Sequence, residues 1–315
     1  MYDVAALGEL LIDFTPAGTS ESGMRLFEQN PGGAPANVLC ALANLGMKTA
    51  FLGKVGKDMH GDFLRAVLHG KGVDTSGLVA GDDVFTTLAF VSLSDEGERS
   101  FSFARKPGAD TRLRPDELNE DILKSCKVFH FGSLSLTNEP SRSATVKAAQ
   151  IAKDAGAVIS YDPNYRAPLW NNGQEAAARM RSVLELVDVI KISDEEAALI
   201  TGNADPKQAA GYLLGKGIGC AVATLGKKGA LAATGNACET VGVMDVKVVD
   251  TTGAGDAFWG GFLYKVVSGG KKPQELESAQ LKDYMRFANA VATLCVQKRG
   301  AIPSLPTMED VKALY

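Results

Sequence analysis

The chain has 315 residues, 45% of them hydrophobic and 22% charged, with a formal net charge of −4 at neutral pH. That length can bury a substantial core without disulfide or metal staples, and the composition is that of an ordinary soluble globular protein. The acidic balance argues against nucleic acid as the main partner, and no apolar run reaches the ~20 residues that a membrane-spanning helix needs.

In chain order, the start of the sequence reads as a first strand over Val4 to Leu7, with no basic n-region and long apolar run of a signal peptide. Further short apolar runs at Thr49 to Leu52, Val128 to Phe131, Val158 to Tyr161, Val189 to Ile192 and Ala221 to Thr224 read as buried strands. Amphipathic stretches lie between them: Ala36 to Leu45, Gly61 to His69, Ser143 to Asp154, Gln174 to Leu186 and Pro206 to Lys216. Two longer helices follow, Ala257 to Val267 and Leu281 to Val296. Such alternation predicts βαβ units around a mostly parallel sheet, an α/β fold in a single domain.

Two segments break the rhythm. Residues 14–29 are polar and glycine-bearing with no helical pattern. Residues 85–103 alternate in polarity, turn at Asp95-Glu96-Gly97-Glu98 and return through Phe101 and Phe103, a hairpin pattern. Together they predict a small antiparallel sheet attached to the main domain as a lid. An exposed apolar face on it would need a substrate or a second subunit as cover.

The five cysteines (Cys40, Cys126, Cys220, Cys238, Cys295) form no CxxC pair and read as reduced core thiols, which suits the cytoplasm. His60, His69 and His130 have no metal-ligand spacing. The sequence holds no GxxxxGK[ST], and no GxGxxG follows the first strand, so Walker-type and dinucleotide-binding chemistries are set aside.

The strongest chemical signal is Val249-Asp250-Thr251-Thr252-Gly253-Ala254-Gly255-Asp256-Ala257-Phe258. Small residues before a helix let the backbone approach a ligand, and the free amides of the helix start face an anion. Asp256 there can take a proton from an alcohol while those amides stabilise charge on a phosphoryl group. A second signal is Asn30-Pro31-Gly32-Gly33-Ala34-Pro35-Ala36-Asn37, again leading into a helix. Its turn amides and the Asn37 side chain, both donor and acceptor, suit a polyol. Asp13, expected at the end of the first strand, is a matching sugar ligand.

These two strings, in this order and at this separation, resemble the ribokinase-like sugar kinases of the PfkB family, nearly end to end. The resemblance implies a three-layer ribokinase-like fold with a small β-lid, Asp256 as catalytic base, and the backbone of Gly253, Ala254 and Gly255 as anion hole. It implies ATP as phosphoryl donor with Mg²⁺, and a nucleotide-binding turn in Thr224-Leu225-Gly226-Lys227-Lys228-Gly229, so Thr224, Gly226 and Gly229. Asn289 would border the adenine. The segment Lys191-Ile192-Ser193-Asp194-Glu195-Glu196 matches the family's Asn-x-x-Glu, with Ser193 in place of the asparagine and Glu196 acting on hydrated Mg²⁺. Asp250, Thr252, Gly300 and Ser304 match a monovalent-cation site that usually takes K⁺. The family also pairs as a homodimer through the lid.

Among its branches the chain is most similar to fructokinases. Ala34-Pro35 stands where ribokinases tend to carry Lys-Gly, and Asp162-Pro163-Asn164-Tyr165-Arg166 with Leu169-Trp170 is similar to that branch. Fructose, bound by Asp13, Gly32, Gly33, Asn37, Arg105 and Arg166, is the expected sugar. Arg105 with Lys106 could instead hold the carboxylate of 2-keto-3-deoxygluconate, and Phe101 or Phe103 could stack on aminoimidazole riboside. A silent sugar or nucleotide sensor on the same fold is the reading from another class.

Overall fold

The computed structural model describes residues 1–93 and 99–315. Its main sheet contains β1 (Tyr2–Leu7), β4 (Thr49–Gly56), β5 (Val73–Gly81), β8 (Cys126–Gly132), β9 (Val158–Asp162), β10 (Val189–Ser193), β11 (Cys220–Thr224), β12 (Ala230–Ala233) and β13 (Cys238–Val241). The spatial order is β13-β12-β11-β10-β9-β8-β1-β4-β5. All neighbours run parallel except β11–β12 and β12–β13.

Both faces of this sheet are covered, so its strands read as continuous apolar runs. Val4 and Ala6 of β1 face one core, built with α1 (Ala34–Asn44), α2 (Met59–Gly70), α8 (Ala254–Gly269), α9 (Ser278–Cys295) and α10 (Met308–Leu314). Ala5 and Leu7 face the other, with α3 (Glu120–Lys124), α4 (Ser141–Asp154), α5 (Gly173–Arg181), α6 (Asp194–Thr201) and α7 (Pro206–Leu214). Three layers result, as the resemblance implied. Sequence reading missed β5, β12 and β13 and ran the α5 helix to Leu186, where a separate 3₁₀ turn, Leu184–Leu186, stands instead. Four of the five cysteines are buried free thiols; Cys238, on the edge strand β13, is exposed rather than in the core.

The lid is a second sheet of four strands, β2 (Leu11–Thr19), β3 (Arg25–Gly32), β6 (Leu88–Leu93) and β7 (Arg99–Ala104), in the order β3-β2-β6-β7. It is mixed rather than purely antiparallel, because β2 and β6 run parallel. The segment read as irregular is in fact a pair of strands. Residues 25–28 of β3 are exposed, so no apolar period marks them. Pairing with β2 in register from Leu11↔Gly32 to Pro16↔Phe27 makes them a strand, helped by Asn30 Nδ2 donating to Thr15 Oγ1 at 2.8 Å. The hairpin turn over 95–98 and the Phe101 side chain lie outside the described residues. Phe14 stacks on Phe90 at 5.3 Å and Phe27 meets Phe90 edge-on at 6.2 Å, while Met24, Leu26, Phe27 and Phe90 stay exposed.

Chain passes between the two sheets at residues 8–10, at Gly33, and over 82–87 and 105–108. In the main sheet β1 lies between β8 and β4, so strand order reverses there. Beyond the carboxyl ends of strands at such a reversal is where open α/β sheets bind ligands.

Candidate active site

Helix α8 begins at Gly253, whose φ of 76° lies in the left-handed region and whose missing Cβ would come within 2.9 Å of Ala301 Cβ. No side chain caps the helix start; the Ala254 amide donates to Thr251 O at 3.2 Å, and the amides after it are the ones an anion would meet. Asp256 sits in the first turn rather than at the cap position. Its carboxylate is 7% exposed and is held from two sides: Asn37 Nδ2 donates to Oδ2 at 2.8 Å and Asn164 Nδ2 to Oδ1 at 3.2 Å. Burial first, and the charge of Asp162 second, push its pKa up to about 6, against the pull of Asn37, Lys191 and Arg166. A carboxylate so placed can accept a proton near neutrality.

The residues expected to hold a sugar come from both bodies. Asp13 is in β2 of the lid, paired with Asn30 and Ala89, and not at the end of β1 as the sequence suggested. It still reaches the core site, since Arg166 and Asp256 are both within electrostatic range, and burial raises its pKa to about 6. Gly32 ends β3 where a Cβ would collide with the Asp13 carboxylate. Gly33, at φ 122°, is the N-cap of α1 and lies against the Glu9 carbonyl, a place no side chain could occupy. Asn37, one turn into α1, keeps a buried Oδ1 with no partner among the described residues. Arg166 is exposed and donates to its neighbour Tyr165 O at 2.9 Å.

Arg105 departs from its expected role. Its guanidinium is 7% exposed and is engaged inside the protein. Nε donates to Asp110 Oδ2 at 2.8 Å, Nη1 to Thr137 Oγ1 at 3.0 Å and Nη2 to Leu134 O at 2.9 Å, with Nη2 also 2.7 Å from Asp110. It clamps the end of the lid to the core.

A buried charge cluster lies under the start of α8. Lys191 Nζ is 2.5 Å from Asp162 Oδ2 and 3.6 Å from where a Gly255 Cβ would be. Burial alone would lower the Lys191 pKa, but Asp162 and Glu196 carry it above the ordinary lysine value. Ser193 caps α6: its Oγ accepts from Glu196 N at 3.2 Å while Glu196 Oε2 accepts from Ser193 N at 2.8 Å. Glu196 Oε1 takes the Tyr165 amide at 2.6 Å. Burial and Asp162 raise the Glu196 pKa. Asp162 and Asn164 escaped sequence reading as site residues, although both lie in the Asp162 to Arg166 string already noted. Asn164 has φ 47°, a backbone state that asparagine tolerates, and Asp162 Oδ1 accepts its amide at 3.2 Å.

Beside this cluster opens a cleft of about 980 Å³. Thr224, Gly226, Gly229, Ala254, Gly255 and Asn289 are among the residues that line it. The 224–229 segment is a 3₁₀ turn between β11 and β12. Asn289 Nδ2 donates to Gly242 O at 2.9 Å and so pins the 242–249 stretch that also lines the cleft. Behind α8, Asp250 Oδ1 accepts from Thr252 N and Oγ1 at 2.9 and 2.7 Å, and Oδ2 from Gly300 N at 3.0 Å. Ser304 Oγ donates to Ala301 O at 2.7 Å beside them. The four residues expected at a cation site thus occupy one oxygen-rich loop pair. Among the described residues no cluster of three or more acidic, histidine or cysteine side chains could hold a metal ion by itself.

A carboxylate tuned to about 6 beside the free amides of a helix start, next to a nucleotide-sized cleft, defines an enzyme that moves a phosphoryl group onto an alcohol. Residues 1–308 match the model of the pfkB family carbohydrate kinases, and the chain belongs to that family. It is 44% identical over 314 residues to probable fructokinase-4 of Arabidopsis thaliana, covering 99% of this chain and 96% of that protein. The fructokinase of Xylella fastidiosa with bound ATP matches with a TM-score of 0.92 at 34% identity, over 100% of this chain and 98% of that one. The fructokinase of Vibrio cholerae O395 in its fructose-, ADP- and calcium-bound form matches at 0.89 and 36%, over 99% and 98%. The ribokinase-like fold expected from the two motifs is the fold present.

Proposed function

We propose that this protein transfers the γ-phosphoryl group of ATP to the 6-hydroxyl of D-fructose, giving fructose 6-phosphate and ADP. The observation that favours a neutral ketose over a sugar acid is Arg105. Its guanidinium is already engaged by Asp110, Thr137 and the Leu134 carbonyl, and a buried charge pair of this kind is not given up for a substrate carboxylate. The overall likeness to fructokinases over nearly the whole chain points the same way.

In this reading Asp13, the Gly32–Gly33 turn and Asn37 hold the sugar, with Arg166 at its rim. Asp256 accepts the 6-hydroxyl proton as the oxygen bonds to the γ-phosphorus and the bond to the ADP oxygen breaks. Amides of Gly253 to Asp256 and the Lys191 ammonium stabilise the charge on the transferring group. ATP lies in the cleft walled by Thr224, Gly226, Gly229 and Asn289. Glu196 spends one lone pair of each oxygen on a backbone amide and has others for waters of Mg²⁺, which keeps several waters when bound. Mg²⁺ would neutralise phosphate charge, and K⁺ at Asp250, Thr252, Gly300 and Ser304 would add positive charge behind the anion hole.

Coupled ADP release tests the substrate. Fructose should exceed 2-keto-3-deoxygluconate and aminoimidazole riboside in kcat/KM by about 10²-fold or more, the scale on which a site built for one set of hydroxyls discriminates. Preference for the acid would overturn the Arg105 argument, and silence with every sugar would favour the sensor. The exposed Met24, Leu26, Phe27 and Phe90 of the lid support pairing of two copies there. Phe27→Glu should then halve the sedimenting mass, and an unchanged mass would refute the pairing. A cytoplasmic setting suits the five free cysteines.

A further inference from the structure

Glu9 is a buried acid that the mechanism above does not use. It is 3% exposed and lies in the first passage from core to lid, between β1 and β2. Its Oε1 accepts from Ala34 N at 2.8 Å, at the start of α1, and its backbone carbonyl is packed against Gly33. Oε2 is buried with no partner among the described residues. The charges that face it are Arg105 and Asp110, from the end of the β7 passage. Asp110 in turn accepts from Thr87 Oγ1 at 2.5 Å, in the passage before β6. All four connections between lid and core therefore meet in one group: the buried Glu9, Thr87 and Arg105–Asp110 pair and the half-buried Ala34.

We propose that Glu9 is a positioning residue for sugar binding, and that gain or loss of a proton on its free oxygen sets how firmly this junction holds the lid. Ionised, the junction carries two carboxylates against one guanidinium in a dry place. Protonated, it is neutral. A buried carboxylate is costly where its hydrogen bonds do not repay the lost water, and burial, with Asp110 adding to it, pushes the Glu9 pKa up to about 7 against the pull of its own backbone amide, the Ala34 amide and Arg105. Its unfolded value lies near the ordinary 4.5. Below that value neither state is ionised and Glu9 has no effect on stability. Between the two values the unfolded chain gives up the proton more readily, so stability falls as pH rises, and above about 7 the full penalty stands. A group that weakens the fold at neutral pH and sits at the hinge of the sugar-binding turn fits a functional role better than a structural one.

The test compares the full-length enzyme with Glu9→Gln, which keeps the shape and removes the charge. Thermal midpoints should agree at pH 4.5, and the variant should be higher by about 5 °C at pH 8. Amide exchange at Gly33 and Ala34, corrected for the intrinsic rate, should speed up in the wild type from pH 6 to 8 and stay flat in the variant. The fructose KM should rise severalfold over the same interval in the wild type alone. A variant less stable than the wild type at pH 8, or a shared pH profile of exchange, would overturn the proposal. Should the variant fail to fold, flat exchange at Ala34 in the wild type is enough to reject it. Only the KM arm rests on the fructokinase reading; absence of turnover with fructose would sink that reading and leave the exchange arm to decide about Glu9.

Discussion

Asp256→Asn will lower kcat by about 10²–10⁴-fold, the contribution of a positioned base, while fructose and ATP bind within a few-fold of the wild type. The substitution keeps the volume and leaves Asn37 and Asn164 in place to hold the side chain. One of those two amides will face a new NH₂ instead of an oxygen, a cost to local order but not to the cleft. In the wild type, kcat/KM should rise with pH through about 6 until the Glu9-linked rise in fructose KM turns it down near neutrality; the rising limb exists because the base works only when ionised and its pKa is held near that value by burial and Asp162. Asp13 titrates in the same range, so the profile belongs to both acids and its limb will be steeper than one proton gives. A single-turnover measurement separates the two: Asp256→Asn abolishes the chemical step with sugar bound, and a fast step in that variant would remove Asp256 from the mechanism.

Lys191→Met should be nearly as damaging, by a different route. The ammonium lies 2.5 Å from Asp162 and beside Gly255, so its loss removes a fixed positive charge from the anion hole. Removing a donor of that kind costs about 10²–10³ in kcat. The same change strands the Asp162 carboxylate in a dry place, a loss of about 3–5 kcal/mol in stability. Two effects would then be confused. The double variant Asp162→Asn with Lys191→Met parts them: it has no stranded charge and should recover most of the melting temperature, while kcat stays low. Recovery of turnover along with stability would mean that Lys191 only balances Asp162.

The start of α8 was more legible than the lid. The Gly253 to Asp256 string marked it because glycine and alanine ahead of an apolar helical pattern permit a tight entry, and α8 starts there. The central strands of the main sheet were legible because both faces are buried, which leaves apolar runs, whereas β5, β12 and β13 toward its two edges were not. Strands β2 and β3 were not, since their polar, exposed residues are held by cross-strand pairing that no local pattern encodes. Asp13 was singled out as a sugar ligand but assigned to the wrong sheet for that reason. The Lys191–Asp162 pair and the Asn164 bond to Asp256 join residues 29 and 92 positions apart, which composition and spacing do not report. Arg105 shows the opposite error: a basic residue after a hairpin looks available until its buried partners are known.

The 980 Å³ cleft proposed for ATP is lined entirely by core residues, whereas the residues proposed for the sugar include Asp13 and Gly32 from the lid. In the proposed reading ATP rests on the core alone, while the sugar touches both bodies, since Asp13 of the lid lies within electrostatic reach of Asp256 and Arg166 of the core. Fructose would then act as mortar between two stones as well as the group to be phosphorylated.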